Sequence, residues 1–342
     1  MSLKLEFRRY RRHLKRPMVN AHGYLAERSG IILRLIDAKG REGYGEVAPL
    51  KWFGTESFQD AWAFLESLGN EVTETIWAEI PLSLPCSRFA IDSALHMIAH
   101  LPAQFQPPRP ALEVAALLPG GEQGWISAGC RIQEGYRCLK MKIGVEPQKD
   151  EISLLDRIVE VLKPGMRIRL DANGGLDPEL AENWVRYLAP IKEVEFIEQP
   201  LPPRNMAGHR KLADIAEKLG HPQLIGLDES LNDPSDAADI VGSGWPGFHI
   251  CKPLVQGPRD GIEKYQKRFG QSVVFSSAFE TAIGVEAILT LASDGGNSQA
   301  LGLGTLNFFE EDGLGHHPLG PEIRPDTMIL EHYQDIWKRL LD

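Results

Sequence analysis

The chain has 342 residues, 43% hydrophobic and 25% charged, with a formal net charge of −10, a profile that fits an ordinary globular protein with room for one barrel-sized domain and a smaller module. The acidic balance argues against nucleic acid as a partner, and no apolar run approaches the ~20 residues of a membrane span. Four cysteines (Cys86, Cys130, Cys138, Cys251) form no CxxC pair and no disulfide-like framework, which points to a reducing cytoplasm.

In chain order, residues 3–9 and 30–36 read as strands. Asp37-Ala38-Lys39-Gly40 supplies turn chemistry before a third strand at Glu42–Val47. The basic run Arg8-Arg9-Tyr10-Arg11-Arg12, with Lys15 and Arg16, reads as a solvated edge and loop. Its alternative is a loop that helps to gather an anionic small molecule. Residues 12–28 are predicted as a polar loop, long enough to act as a lid. Helical patterns follow at 57–69 and 87–100, the second apolar nearly all round through Phe89, Ala90, Ile91, Ala94, Leu95, Met97 and Ile98. Prolines concentrated in Leu101–Pro110 mark a linker.

Beyond the linker the grammar changes to recurring apolar runs: Leu112–Leu118, Arg137–Ile143, Arg167–Asp171, Val194–Glu198, Gln223–Asp228, Phe248–Lys252, Ser272–Ser277 and Gln299–Gly304. From Lys142 onward their ends fall at 142, 171, 198, 228, 252 and 277, the spacing of a repeated strand–loop–helix unit. The intervening segments carry helix signals, among them Asp177-Pro178 and Asp233-Pro234 as N-cap and first-turn proline. Eight such strands imply a parallel closed (β/α)₈ barrel or a close variant. An open doubly wound sheet is the alternative, weakened because no Gly-rich phosphate fingerprint follows the first strand.

In a parallel barrel the chemistry sits at the C-terminal strand ends. Here they read Lys140-Met141-Lys142, Asp171-Ala172-Asn173, Glu198-Gln199-Pro200, Asp228-Glu229-Ser230 and Cys251-Lys252-Pro253. Alone, Lys140 and Lys142 on an apolar strand read as an exposed edge, and any single carboxylate reads as a helix cap. Together they read differently. Three carboxylates converging on one rim repel unless a cation sits between them, and hard oxygen donors without Cys or His suit Mg²⁺. Lys142 and Lys252 would then face a bound substrate from opposite sides. A lysine acts as a base near neutrality when its pKa falls from ~10.4 to about 7–8, and Lys140 and the dication both push that way. The reaction class is proton abstraction beside a carboxylate, with the enediolate stabilised by cations.

These stretches, with Gly43-Tyr44-Gly45-Glu46-Val47-Ala48-Pro49-Leu50 and Ser276-Ser277-Ala278-Phe279-Glu280-Thr281-Ala282-Ile283-Gly284, resemble the enolase superfamily, whose members pair a lysine or histidine base with Mg²⁺ that stabilises the enediolate. The resemblance covers nearly the whole chain and is nearest to the muconate-lactonizing subgroup and its o-succinylbenzoate synthase branch. It implies a modified (β/α)₈ TIM barrel, (β/α)₇β, over 107–313. An α+β capping domain would be formed by 1–106, with a C-terminal segment, 314–342, returning to the cap. It further implies a hydro-lyase of menaquinone or phylloquinone synthesis. Asp171, Glu198 and Asp228 would hold Mg²⁺, with Mn²⁺ able to substitute. Lys142 would be the base, Lys252 the enediolate-stabilising cation, and Lys140 the tuner of Lys142. Arg169, Asn173 and Glu229 would orient the ligands, and Ser276 and Ser277 would line the pocket. The 12–28 and 48–56 loops would close over the substrate. The implied partner is a small carboxylate substrate, with no nucleic acid and no membrane, the oligomeric state being open.

Rival readings share the site. Opposed Lys142 and Lys252 also suit an N-succinylamino acid racemase, a dipeptide epimerase or a cycloisomerase. Against the epimerase, Gly302-Leu303-Gly304-Thr305-Leu306 lacks an Asp-x-Asp; against a mandelate-type racemase, Ser272–Glu280 lacks a histidine. A non-catalytic binding barrel would be expected to have lost one of the five polar strand ends. His316-His317 reads as a solvated loop, and Cys251 as a small hydrophobe facing the helices.

Overall fold

The computed structural model describes the chain except residues 1, 21–22, 74, 101–108, 233–236, 238–239, 241, 316–319, 326–329 and 341–342. Four strands, β1 (Ser2–Asn20), β2 (Gly23–Ile36), β3 (Glu42–Val47) and β4 (Glu71–Thr73), form an antiparallel sheet in the order β3-β2-β1-β4. The predicted 12–28 loop is therefore corrected. It is the outer half of the β1–β2 hairpin, paired through Arg12↔Arg28 and His13↔Glu27 and again from Met18↔Leu25 to Asn20↔Gly23. The physical reason is visible in burial, which alternates well beyond residue 9. Tyr10, Arg12 and Leu14 are buried while Arg9, Arg11 and His13 are exposed.

Both faces of this sheet are covered. Ile31, Leu33 and Leu35 pack with Leu65 and Ala61 of helix Phe58–Leu68 and with Ala90 and Ala94 of helix Pro85–His100. On the other face Tyr10, Ile32 and Tyr44 meet Tyr333, Ile336 and Trp337 of the C-terminal helix Leu330–Arg339. The Gly43-Tyr44-Gly45 motif has a steric cause. A Cβ on Gly45 would lie 1.9 Å from the Ala90 carbonyl oxygen, and one on Gly43 2.1 Å from that of Ala94. Only glycine lets helix and strand approach so closely.

After the two-residue strand β5 (Leu112–Glu113) comes a second sheet, parallel and seven-stranded, in the order β12-β11-β10-β9-β8-β7-β6. Its strands are β6 (Ala115–Leu118), β7 (Cys138–Lys142), β8 (Arg167–Asp171), β9 (Val194–Glu198), β10 (Ile225–Leu227), β11 (Phe248–Cys251) and β12 (Val273–Phe275). The expected eighth strand, Gln299–Gly304, is reduced to two single-residue bridges, Leu301 to Val114 and Gly302 to Ser276. They still close the ring, with Leu301 accepting from Ala115 N–H and Gly302 N–H donating to Phe275. The segment stays short because the chain turns into a 3₁₀ helix at Gly304–Phe308. The predicted 112–118 strand is likewise split at Val114, whose N–H goes to Pro321; Leu112–Glu113 pairs instead with Glu322–Ile323.

Helices surround the ring, and alternate strand residues such as Leu139, Met141, Ile168, Leu170, Leu227 and Cys251 pack against them. Asp177 caps helix Pro178–Leu188 as predicted, accepting from Leu180 N–H at 2.8 Å. Asp233-Pro234, His316-His317 and most of the predicted linker lie outside the described residues. Among the described residues no helix is long and apolar enough to cross a membrane.

Candidate active site

Strand periodicity turns Leu139 and Met141 to the helices, so Lys140 and Lys142 share the ring interior, both half-buried. Parallel register sets Lys142 level with Asp171, and Asp171 level with Glu198. Lys140 Nζ stands 2.7 Å from Glu198 Oε1 and 2.9 Å from Asp171 Oδ2. Across the ring the Lys252 ammonium lies on the Asp228 carboxylate, with the Phe53 ring 4.8 Å away. Among the described residues none hydrogen-bonds or ion-pairs with the Lys142 ammonium; the cavity of about 240 Å³ that Lys142 helps to line is shared with Met141, Glu151 and Arg157, not with the three rim carboxylates.

The residues expected to orient the ligands divide into two groups. Asn173 takes a left-handed backbone, φ 44°. Its N–H donates to Asp171 Oδ1 at 3.0 Å and its side chain to Glu229 Oε1 at 3.3 Å, a local turn that fixes the Asp171 carboxylate. Arg169 sits one layer deeper, paired with Glu195 and donating to the Ala300 carbonyl at 2.7 Å; no hydrogen bond joins it to the three rim carboxylates. It is a strut across the ring, under the Phe196 ring. Ser276 donates to Gly302 O at 3.1 Å and the Ser277 hydroxyl meets that of Thr305.

The electrostatics are those of crowded buried acids. Burial, then the Asp171 charge, pushes Glu198 up to about 7. Burial likewise pushes Asp228 up to about 6 against the opposing pull of Lys252, and raises Glu229, whose buried Oε2 has no hydrogen-bond partner among the described residues. At Asp171 burial is outweighed by Lys140, and its pKa is lowered. Lys140 and Lys252 are raised, because their carboxylate neighbours outweigh the burial that would lower them. Lys140 is thus paired with two acids at once, in addition to standing beside Lys142 on the strand.

The donor set is one a hard dication would take: buried oxygens, insufficiently neutralised, with one oxygen unpartnered. Its side chains are nevertheless drawn to the lysines. Among the described residues no group of three or more His, Cys, Asp or Glu stands arranged to hold a metal ion. A dication and the two ammonium groups would compete for the same oxygens.

Comparison with known proteins places this geometry. Residues 4–98 match the family model described as "MenC, N-terminal domain", and residues 127–248 match "Enolase C-terminal domain-like". The o-succinylbenzoate synthase of Thermosynechococcus vestitus is 32% identical over 342 residues, 99% of each chain. The chain belongs to the o-succinylbenzoate synthase family of the enolase superfamily. A crystal structure of that family's enzyme from Thermosynechococcus elongatus BP-1, complexed with Mg in its active site, superposes with a TM-score of 0.85 at 32% identity, covering 98% of this chain and 100% of that one. The N-succinyl Arg/Lys racemase of Bacillus cereus shares the fold, with a TM-score of 0.77 at 20% identity over 98% and 97% of the two chains.

In this member of the o-succinylbenzoate synthase family, the cap contributes residues that sequence reasoning passed over. Arg12 is buried, not solvated as predicted: it pairs with Asp312 at 2.7 Å, donates to Glu280 O at 3.0 Å and covers the Phe309 ring. Arg28, also buried, donates to the Ala48 and Pro49 carbonyls, anchoring the 48–56 segment that carries Phe53. Glu46 accepts from Tyr10 OH at 2.7 Å, Thr281 Oγ1 at 2.6 Å, and the N–H groups of Thr281 and Gly284 at 3.0 Å. It therefore caps helix Ala282–Asp294 from another module. The period-two continuation through Leu14 was the readable signal for Arg12; Phe53 carried none.

Proposed function

We propose that this chain is a Mg²⁺-dependent o-succinylbenzoate synthase. It would catalyse syn dehydration of 2-succinyl-6-hydroxy-2,4-cyclohexadiene-1-carboxylate to o-succinylbenzoate, in menaquinone or phylloquinone synthesis in the cytoplasm. Full-length similarity to that family carries the reading, and the arrangement of the lysines supports the roles. Lys142, with no ion pair among the described residues, removes the proton α to the carboxylate. The electron pair moves into the enediolate, and Lys252 stabilises its negative charge from the opposite face. The Lys142 ammonium then returns its proton to the departing hydroxide, releasing water and leaving the aromatic ring. Asp171, Glu198 and Asp228 would hold Mg²⁺, which when bound supplies charge neutralisation at the substrate carboxylate. Mn²⁺ would serve in its place. Asn173 and Glu229 orient the ligands, Arg169 braces the layer beneath, and Ser276 and Ser277 line the pocket. We divide the chain as 1–106, 107–313 and 314–342, a cap, a barrel and a returning segment.

The deciding experiment is an assay of o-succinylbenzoate formation in Mg²⁺, run beside an N-succinylamino acid racemase assay. Rapid dehydration with slower or no racemisation is expected. Racemisation alone would move the assignment to the reading that opposed lysines also permit, and no turnover in either assay would remove the enzyme reading.

A further inference from the structure

Gln199 follows Glu198 on β9 and is fully buried, held at φ 41° in the left-handed region, where a residue other than glycine is uncommon. Its side-chain oxygen accepts from Asp228 N–H at 2.9 Å and Ser230 N–H at 3.2 Å. Its side-chain nitrogen donates to Leu201 O at 3.0 Å and Ser230 Oγ at 2.8 Å. That pattern orients the amide, since the reverse assignment would set a donor against two N–H groups. Its main-chain oxygen accepts from Gly174 N–H at 2.7 Å, in the turn after Asp171. Behind it His209, buried and with its pKa lowered to about 4 by burial, bonds to Asn205 O and presents its other ring nitrogen to Leu201 N–H.

One residue therefore touches the loops of all three proposed ligands: adjacent to Glu198, bonded to the Asp228 main chain, and bonded to the Asp171 turn. Such a residue cannot meet substrate or metal, because its side-chain hydrogen bonds, to Leu201, His209, Asp228 and Ser230, are all internal. We infer that Gln199 is a positioning residue that sets Asp228 against Glu198 and so sets the affinity of the site for a divalent cation. The inference rests on the proposed three-carboxylate metal site. The strain at φ 41° persists because loops on three strands over-determine it. Losing hydrogen-bond partners of metal ligands typically lowers metal affinity about 10- to 100-fold.

The test replaces Gln199 by a residue of similar length without hydrogen bonds. Calorimetric titration of metal-free Gln199→Met with Mg²⁺ should show affinity reduced at least about tenfold. Amide exchange at Asp228 and Ser230, measured without metal, should be faster than in wild type. Gln199→Asn keeps the amide but withdraws it by one methylene, and gives the same result if the Met variant does not fold. Mg²⁺ affinity within about twofold of wild type, or unchanged exchange at both amides, overturns the assignment while leaving the metal site standing. Wild-type protein that takes up no Mg²⁺ overturns the metal site itself and the assignment with it.

Discussion

Lys142 differs from Lys140 and Lys252 in having no carboxylate within ion-pair reach among the described residues, and this difference orders the predictions at the residue scale. Lys142→Ala should lower turnover by about 10³-fold or more and leave Mg²⁺ binding within about twofold in calorimetry; substantial residual turnover would take the base role away from it. Asp228→Asn should raise the Mg²⁺ concentration needed for half-maximal activity, and an unchanged requirement would count against Asp228 as a ligand. The acids also predict a pH dependence. Glu198 is raised from its ordinary 4.5 to about 7, and Asp228 from 3.8 to about 6. Between each pair of values the folded, metal-free protein binds more protons than the unfolded chain. Their contribution to stability is therefore greatest at low pH and falls as pH rises towards 7. A dication that binds the deprotonated forms reverses this. The rise in Tm on adding Mg²⁺ should be small at pH 5 and grow towards pH 8, and a pH-independent rise would contradict the arrangement.

At the scale of elements, the decisive contact is between β3 and helix Ala282–Asp294. Glu46 supplies the acceptor that the first turn of this helix needs, since Thr281 at its N-cap offers only its own hydroxyl. Glu46→Ala would leave Thr281 and Gly284 N–H groups and two hydroxyls buried without that acceptor. A loss of about 3 kcal/mol is expected, read as a lower midpoint in urea unfolding, with Glu46→Gln losing less. Equal midpoints for Ala variant and wild type would show that water satisfies these groups. Glu46 is legible in the sequence as part of a motif and illegible as a cap, because the helix groups it accepts from, on Thr281 and Gly284, lie more than two hundred residues away in sequence. The β1–β2 hairpin teaches the converse. Its outer half carries Arg12, Arg16 and Arg28, and in a sequence such charge reads as solvent exposure. Beneath the 309–312 segment Arg12 pairs with Asp312 and is buried on the inner face.

On the scale of the whole molecule, cap and barrel share one packing unit. Tyr10, Ile32 and Tyr44 of the sheet, Ala282 and Ile283 of the barrel helix, and Tyr333, Ile336 and Trp337 of the C-terminal helix form a single buried cluster. The two modules should therefore unfold together. Trp337 reports on that cluster and Trp184, fully buried, on the outer layer of the barrel. Subtracting the signals of Trp337→Phe and Trp184→Phe variants from wild type should give coincident denaturant transitions; separated midpoints would show an independently folding cap.

What the sequence determined by itself was the periodic part of the molecule. Strand–helix units, the order of lysines and acids at the strand ends, and the helix-facing placement of Cys251 follow from alternation and spacing, which are local. The family was legible there as a resemblance, carried by those strand ends with Gly43–Leu50 and Ser276–Gly284, and full-length similarity to a known member shows it. Tertiary structure decided what depends on groups distant in sequence. It closed the ring with Leu301 and Gly302, placed Phe53 over Lys252, buried Arg12 and Arg28, and tied Lys140 to Asp171 and Glu198. Each of these is set by which groups share a low-dielectric space, and no local pattern encodes that.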